Sequence, residues 1–169
     1  MRRIIGLCLV FMAIAGLSGC GKESVKSDVV VGQMFDNMNA AMAYDEVCSD
    51  NAAVQSVNPN LFGNLQAIAY LFTQELAANH PDIKPDDVKT MINDRRDSVS
   101  EKAATTLRDK GCDSDEAKQA KAALDQLLTV SPPDTYAAIE AKVKSMGGML
   151  HPIQKPGQDK APDETQKAP

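Results

Sequence analysis

Asn58-Pro59-Asn60-Leu61-Phe62-Gly63-Asn64-Leu65-Gln66-Ala67-Ile68-Ala69-Tyr70-Leu71-Phe72-Thr73-Gln74-Glu75-Leu76 is the stretch whose reading sets the fold class. It opens on a capping residue followed by proline, whose fixed φ and missing N–H suit the first helical position. Leu61, Phe62, Leu65, Ile68, Ala69, Phe72 and Leu76 then recur at steps of three and four, one face of a helix. No stripe of the chain beyond its leader is more apolar, so this helix is expected to be the central one. Asn79-His80-Pro81 ends it, with His80 placed to interact with the terminal carbonyls.

The same spacing repeats on both sides. Downstream, Pro85 opens a helix with Asp86 and Asp87 in its first turn, where the helix dipole favours acids. Its inward set is Val88, Met91, Ile92, Val99, Ala103 and Leu107, and Gly111 stops it. Its middle, Asp94-Arg95-Arg96-Asp97, reads as a solvated face with ion pairs between neighbouring turns; the alternative is an anion site at the two arginines. Asp113 with Glu116 resembles a capping box for a fourth helix carrying Ala117, Ala120, Leu124, Leu127 and Leu128 inward. Ser131-Pro132-Pro133-Asp134 starts a fifth with Tyr136, Ile139, Val143 and Met146 inward, stopped by Gly147-Gly148. Upstream, a helix starting after Ser27 or Asp28 carries Val31, Met34, Phe35, Met38, Ala41 and Met42 on one face. No run of period-two β-branched residues competes with these helices. The expected fold is a single all-α, bundle-like domain of four to five helices over residues 28–150.

The methionine stripe has two readings. Buried core is the commoner fate of such a stripe. The functional reading makes Met34, Met38 and Met42 the wall of a groove that receives a partner helix, because methionine adapts to varied shapes at little strain. The contact-site expectation is placed on these three residues.

At the N-terminus, Arg2 and Arg3 precede an apolar run from Ile4 to Leu17 and the sequence Leu17-Ser18-Gly19-Cys20. A positive n-region, a short apolar h-region and small residues at a cut form a secretory signal; the run is too short for a membrane span of about 20 residues. The segment resembles the lipobox of bacterial lipoproteins. The resemblance implies cleavage after residue 19, lipid on the Cys20 thiol and an acylated new amine, so that the chain holds a membrane by its acyl chains. Two or more such chains anchor stably where one does not. Gly21 in place of an aspartate implies, by the family's sorting pattern, the periplasmic face of the outer membrane. Residues 20–27 are then a lipidated tether, with 21–27 spanning at most about 25 Å. Residues 151–169 are polar, proline-rich and expected to be a disordered tail.

Without residues 1–19 the chain holds 16 basic and 23 acidic side chains, a net charge of −7. That balance argues against nucleic acid as a partner and against electrostatic adhesion to anionic lipid. Tryptophan is absent and aromatics make up 4% of the chain, so a core must come from aliphatic side chains and methionine. Cys48 and Cys112 remain after Cys8 leaves with the signal and Cys20 takes lipid. In an exported chain two such thiols read as a disulfide, a buried reduced pair being the alternative.

Chemistry-bearing motifs are missing: no phosphate loop, metal-spaced cluster, nucleophile elbow or calcium loop is found. His80 and His151 stand apart in sequence, so neither metal nor cofactor is expected. The helical pattern with Val47-Cys48-Ser49 and Gly111-Cys112-Asp113 is similar to the small disulfide-containing secretin pilotins of the PulS/OutS type. That resemblance covers residues 28–128 as a pattern and implies a four-helix body that escorts a protein partner. The functional expectation is therefore a non-enzymatic interaction module with an envelope protein as partner: a scaffold, assembly factor or secretin pilot. The alternatives are an inhibitor or immunity lipoprotein and a small envelope hydrolase.

Overall fold

The computed structural model describes residues 25–152, which contain six helices and no strand. The leader 1–19, Cys20 with most of the tether, and all of the tail beyond Pro152 lie outside the described residues. The helices are α1 (Ser27–Cys48), α2 (Ala52–Gln55), α3 (Pro59–Asn79), α4 (Pro85–Lys110), α5 (Asp115–Thr129) and α6 (Pro132–Ser145). The five expected helices are present, and the one-turn α2 is added to them.

The start signals work as local chemistry requires. The Asn58 side chain accepts from the Leu61 N–H at 3.1 Å, and the Ser131 hydroxyl accepts from the Asp134 N–H at 3.4 Å. For α5 the cap is Ser114, which accepts from Ala117 N–H at 3.2 Å, and not Asp113. Residues 111–114 form a turn closed by Ser114 N–H onto Gly111 O, which leaves Asp113 one position too early, and Glu116 pairs with Lys110 instead. At α1 the cap is Lys26, without a side-chain bond; Ser27 is already helical and its hydroxyl donates to Glu75. Gly111 and Gly147 end α4 and α6 at φ of 83° and 79°, the left-handed region that suits glycine.

The central helix is α1, not α3 as the apolar stripe suggested: α1 packs against every other helix. Its buried residues run around the helix and include Gly32, Asn39, Ala43 and Asp45 besides Val30, Val31, Met34, Phe35, Met38 and Ala41. On one side α3 lies antiparallel to it, with the Ser27 hydroxyl on Glu75 and the His80 Nε2 3.2 Å from Asp28 Oδ2. On another, α4 runs parallel to it. Arg95 grips Asp36 through two bonds of 2.7 and 2.8 Å, and the Cys48–Cys112 disulfide, with Cα atoms 5.7 Å apart, joins the far ends. Arg95 therefore forms a bridge between helices, where pairs within one helix were expected. Its guanidinium lies 5.1 Å from the Phe72 ring centroid, over Gly32, where a Cβ would meet Phe72 Cε2 at 3.0 Å.

The last wall is built from two short helices laid end to end. Asn64, fully buried on α3, donates to the carbonyls of Leu127 and Val130 at 2.9 and 2.8 Å, and Asn60 donates to Leu128 O at 3.3 Å. These two side chains satisfy two of the orphan carbonyls at the C-terminus of α5 and the Val130 carbonyl just beyond it. Pro132 then starts α6 against Gly63, where an added Cβ would lie 2.5 Å from the proline ring. A smaller cluster of Ala43, Ala104, Leu107 and Ala117 packs around the disulfide. Two inward assignments fail, since Phe62 and Met91 are exposed; on α4 Ala104 is buried beside Ala103, which packs partly buried against the smaller cluster.

Candidate functional site

Where α5 gives way to α6, the change of direction leaves a wedge over α1. Met34 and Met38 of α1 and Ile68 of α3 form its floor. Ala123, Leu127 and Val130 form one wall, Ala138 and Ile139 the other, and Asn37, Gln126 and Thr135 stand at its lip. The result is a half-open apolar cleft of about 90 Å³. No ionisable side chain lines it. Its chemistry is burial of aliphatic surface, with two amides and a hydroxyl at the mouth to meet backbone groups of whatever enters.

The three methionines named from the sequence divide here. Met34 and Met38 are core residues, as the commoner reading of the stripe has it, and they also form the cleft floor. Met42 is partly buried against the core and does not line the cleft. Ile68, Leu127 and Ile139 are inward positions of the helical pattern, and the structure adds that they line the cleft. The cleft depends on how α5 and α6 meet, which no periodicity within either helix records. Cys48 and Cys112 form the expected disulfide. Cys20 lies outside the described residues.

A second constellation sits at the end of the bundle where the described chain begins. The Glu75 carboxylate, fully buried on α3, accepts the Ser27 hydroxyl, the His151 backbone N–H at 2.8 Å, and stands 2.9 Å from His151 Nδ1. Asn79 donates to Ser27 Oγ at 3.0 Å. Serine, carboxylate and histidine meet here in an order that does not serve acyl transfer. In a nucleophilic triad the imidazole stands between serine and carboxylate and takes the serine's proton. Here the carboxylate stands between the other two, so the Ser27 hydroxyl donates to Glu75 and no imidazole reaches it. The cluster ties both ends of the domain to α3, and it pins the exposed His151, read as the first tail residue, to the end of the bundle. Burial raises the nearby Tyr136 phenol above its ordinary value, helped by the charges of Glu140 and Glu75.

Opposite this end, the segment after Cys48 is held by Asp45. Its fully buried carboxylate accepts the N–H groups of Ala53 and Val54 at 3.1 and 3.2 Å, and its carbonyl accepts Asn51 N–H at 2.7 Å. Asp50, Asn51 and Val57 all have positive φ; for the β-branched Val57, at 52° and 73% exposed, this is strain.

Among the described residues no group of three or more histidine, cysteine or acidic side chains is placed to hold a metal ion, and no helix is long and apolar enough to cross a membrane. No protein-family model, curated protein or solved structure matches this chain.

Proposed function

We propose that this chain is a lipid-anchored envelope lipoprotein whose helical domain is a non-enzymatic protein-interaction module, docking an aliphatic helix or strand of a partner in the cleft between α1, α5 and α6. The cleft carries this reading: it is apolar, rimmed by two amides and a hydroxyl, and lined by no ionisable side chain. The lipobox ending at Cys20 supports the anchor, and Gly21 supports the outer membrane as its location. The Cys48–Cys112 disulfide, which joins the end of α1 to the turn before α5, supports a rigid scaffold for that cleft.

Photocrosslinking in intact cells tests the reading. A photoreactive residue at Gln126 or Asn37, both exposed at the lip, is expected to capture one defined envelope protein, and the same residue at Lys102 on the outer face of α4 is not. Equal capture from the lip and from Lys102 would discard the cleft as the docking site. The anchor is tested separately: Cys20→Ala is expected to leave uncleaved or soluble protein, and membrane partition like the wild type's would discard lipidation.

A further inference from the structure

We infer that the domain stands end-on upon the bilayer, with the apolar rim at the start of α1 dipping into the lipid interface as a second membrane contact beside the acyl chains. The inference rests on lipidation at Cys20. The described chain begins and ends at one end of the bundle: Val25 O lies 2.9 Å from where a Cβ on Gly148 would sit, and Ser27 and His151 share Glu75. From Cys20 to Val25 there are only five peptide steps, at most about 18 Å of chain. This end is therefore held near the headgroups. α1 extends about 33 Å from it.

The surface at this end suits such a contact. Met149 is 82% exposed and Val29 47%, and around them Val25, Ile83, Met146 and Leu150 are only partly covered by the core. The outer face of α4 exposes Asp94, Arg96, Asp97, Glu101 and Lys102 with Met91 as its one exposed large apolar side chain, so it has no comparable apolar rim. At the end itself Lys26, Lys84 and Lys144 balance Asp82, Asp86 and Asp87. The contact is thus hydrophobic, not electrostatic, and should not depend on salt or on anionic lipid.

The chain contains no tryptophan, so a single introduced indole reports its own surroundings. Met149→Trp and, independently, Val29→Trp replace exposed side chains, and Phe62→Trp serves as a control near the start of α3. Each full-length acylated variant is reconstituted in zwitterionic phosphatidylethanolamine-phosphatidylcholine vesicles with or without brominated acyl chains. Emission from positions 149 and 29 is expected to shift to the blue and to fall at least about twofold with bromolipid, unchanged in high salt, while position 62 is unaffected. Unquenched emission at both 149 and 29 overturns the inference, and so does equal quenching at 149 and 62, which would mean a domain lying flat. Intact mass separates the two levels: acylated protein with unquenched indoles defeats this inference alone, whereas protein without acyl groups defeats the lipoprotein reading with it.

Discussion

Replacing both disulfide cysteines in Cys48→Ala/Cys112→Ala tests what holds the far ends of α1 and α4 together. The bridge spans a sequence separation of 64. In the chain-entropy model, a closed loop of about 65 residues removes some 14 cal/mol/K from the unfolded ensemble, about 4 kcal/mol at 25 °C. Alanine is chosen so that no hydroxyl is left against Val47, Ala104 and Leu107, and the small cluster around the bridge keeps its packing. The expected outcome in urea titration is a loss of about 4 kcal/mol, against the 5–15 kcal/mol that a domain of this size has. In a thermal scan this corresponds to a fall on the order of 15 °C. The linear slope should rise in the variant, because its unfolded chain exposes more surface once the loop is opened. A loss below about 1 kcal/mol with an unchanged slope would refute the reasoning, since the oxidised unfolded chain would then be no more restricted than the open one.

Three further outcomes follow from local geometry. Val57→Gly removes a β-branched side chain from φ 52° at an exposed site and should raise stability by about 0.5–1 kcal/mol; a loss in urea titration would show that Val57 is not strained there. Glu75→Ala leaves Ser27 and the His151 N–H without their acceptor and should cost about 2–4 kcal/mol, with protease cleavage appearing after Lys144; a cost under 0.5 kcal/mol would mean that the cluster is not a tie. Because folding raises the Tyr136 phenol, its contribution is complete below the unfolded value near 10 and is lost as pH rises through the raised folded value. Tyr136→Phe should therefore flatten the alkaline limb of the stability profile, and an unchanged limb would assign it to other groups.

The helices were legible because their signals are local. Asn58-Pro59 and Ser131-Pro132 define starts by chemistry that operates within one turn, and Gly111 and Gly147 define stops in the same way. The rank order of the helices was not legible. α3 shows a stripe because one of its faces meets water; α1 is covered on several sides, so its buried positions include glycine, alanine, asparagine and aspartate, and amphipathic contrast is blunted. Glu75 and Asn64 are invisible to pattern for the related reason that a polar residue on an apolar stripe reads as an interruption. Each is buried because its partners come from elsewhere: Glu75 from residues 27 and 151, Asn64 from the carbonyls that end α5. The Arg95–Asp36 bridge is missed in the same way, since its acceptor lies 59 residues upstream. Of the cleft, only the floor residues Met34 and Met38 could be named, because its walls are set by the meeting of two helices.

The position of the disulfide along the chain divides the bundle unequally. α2, α3 and α4 lie inside the covalent loop between Cys48 and Cys112, whereas α5 and α6 lie outside it. With the bridge intact, α5 and α6 form the one arm that can swing off α1 without threading or opening a loop, and the tie from His151 to Glu75 is the clasp at its end. Amide protons of the arm should therefore exchange through a partial opening at lower free energy than those of α1, α3 and α4. Both walls of the cleft belong to that arm, so an outward swing of the arm would widen the cleft as it loosened the bundle.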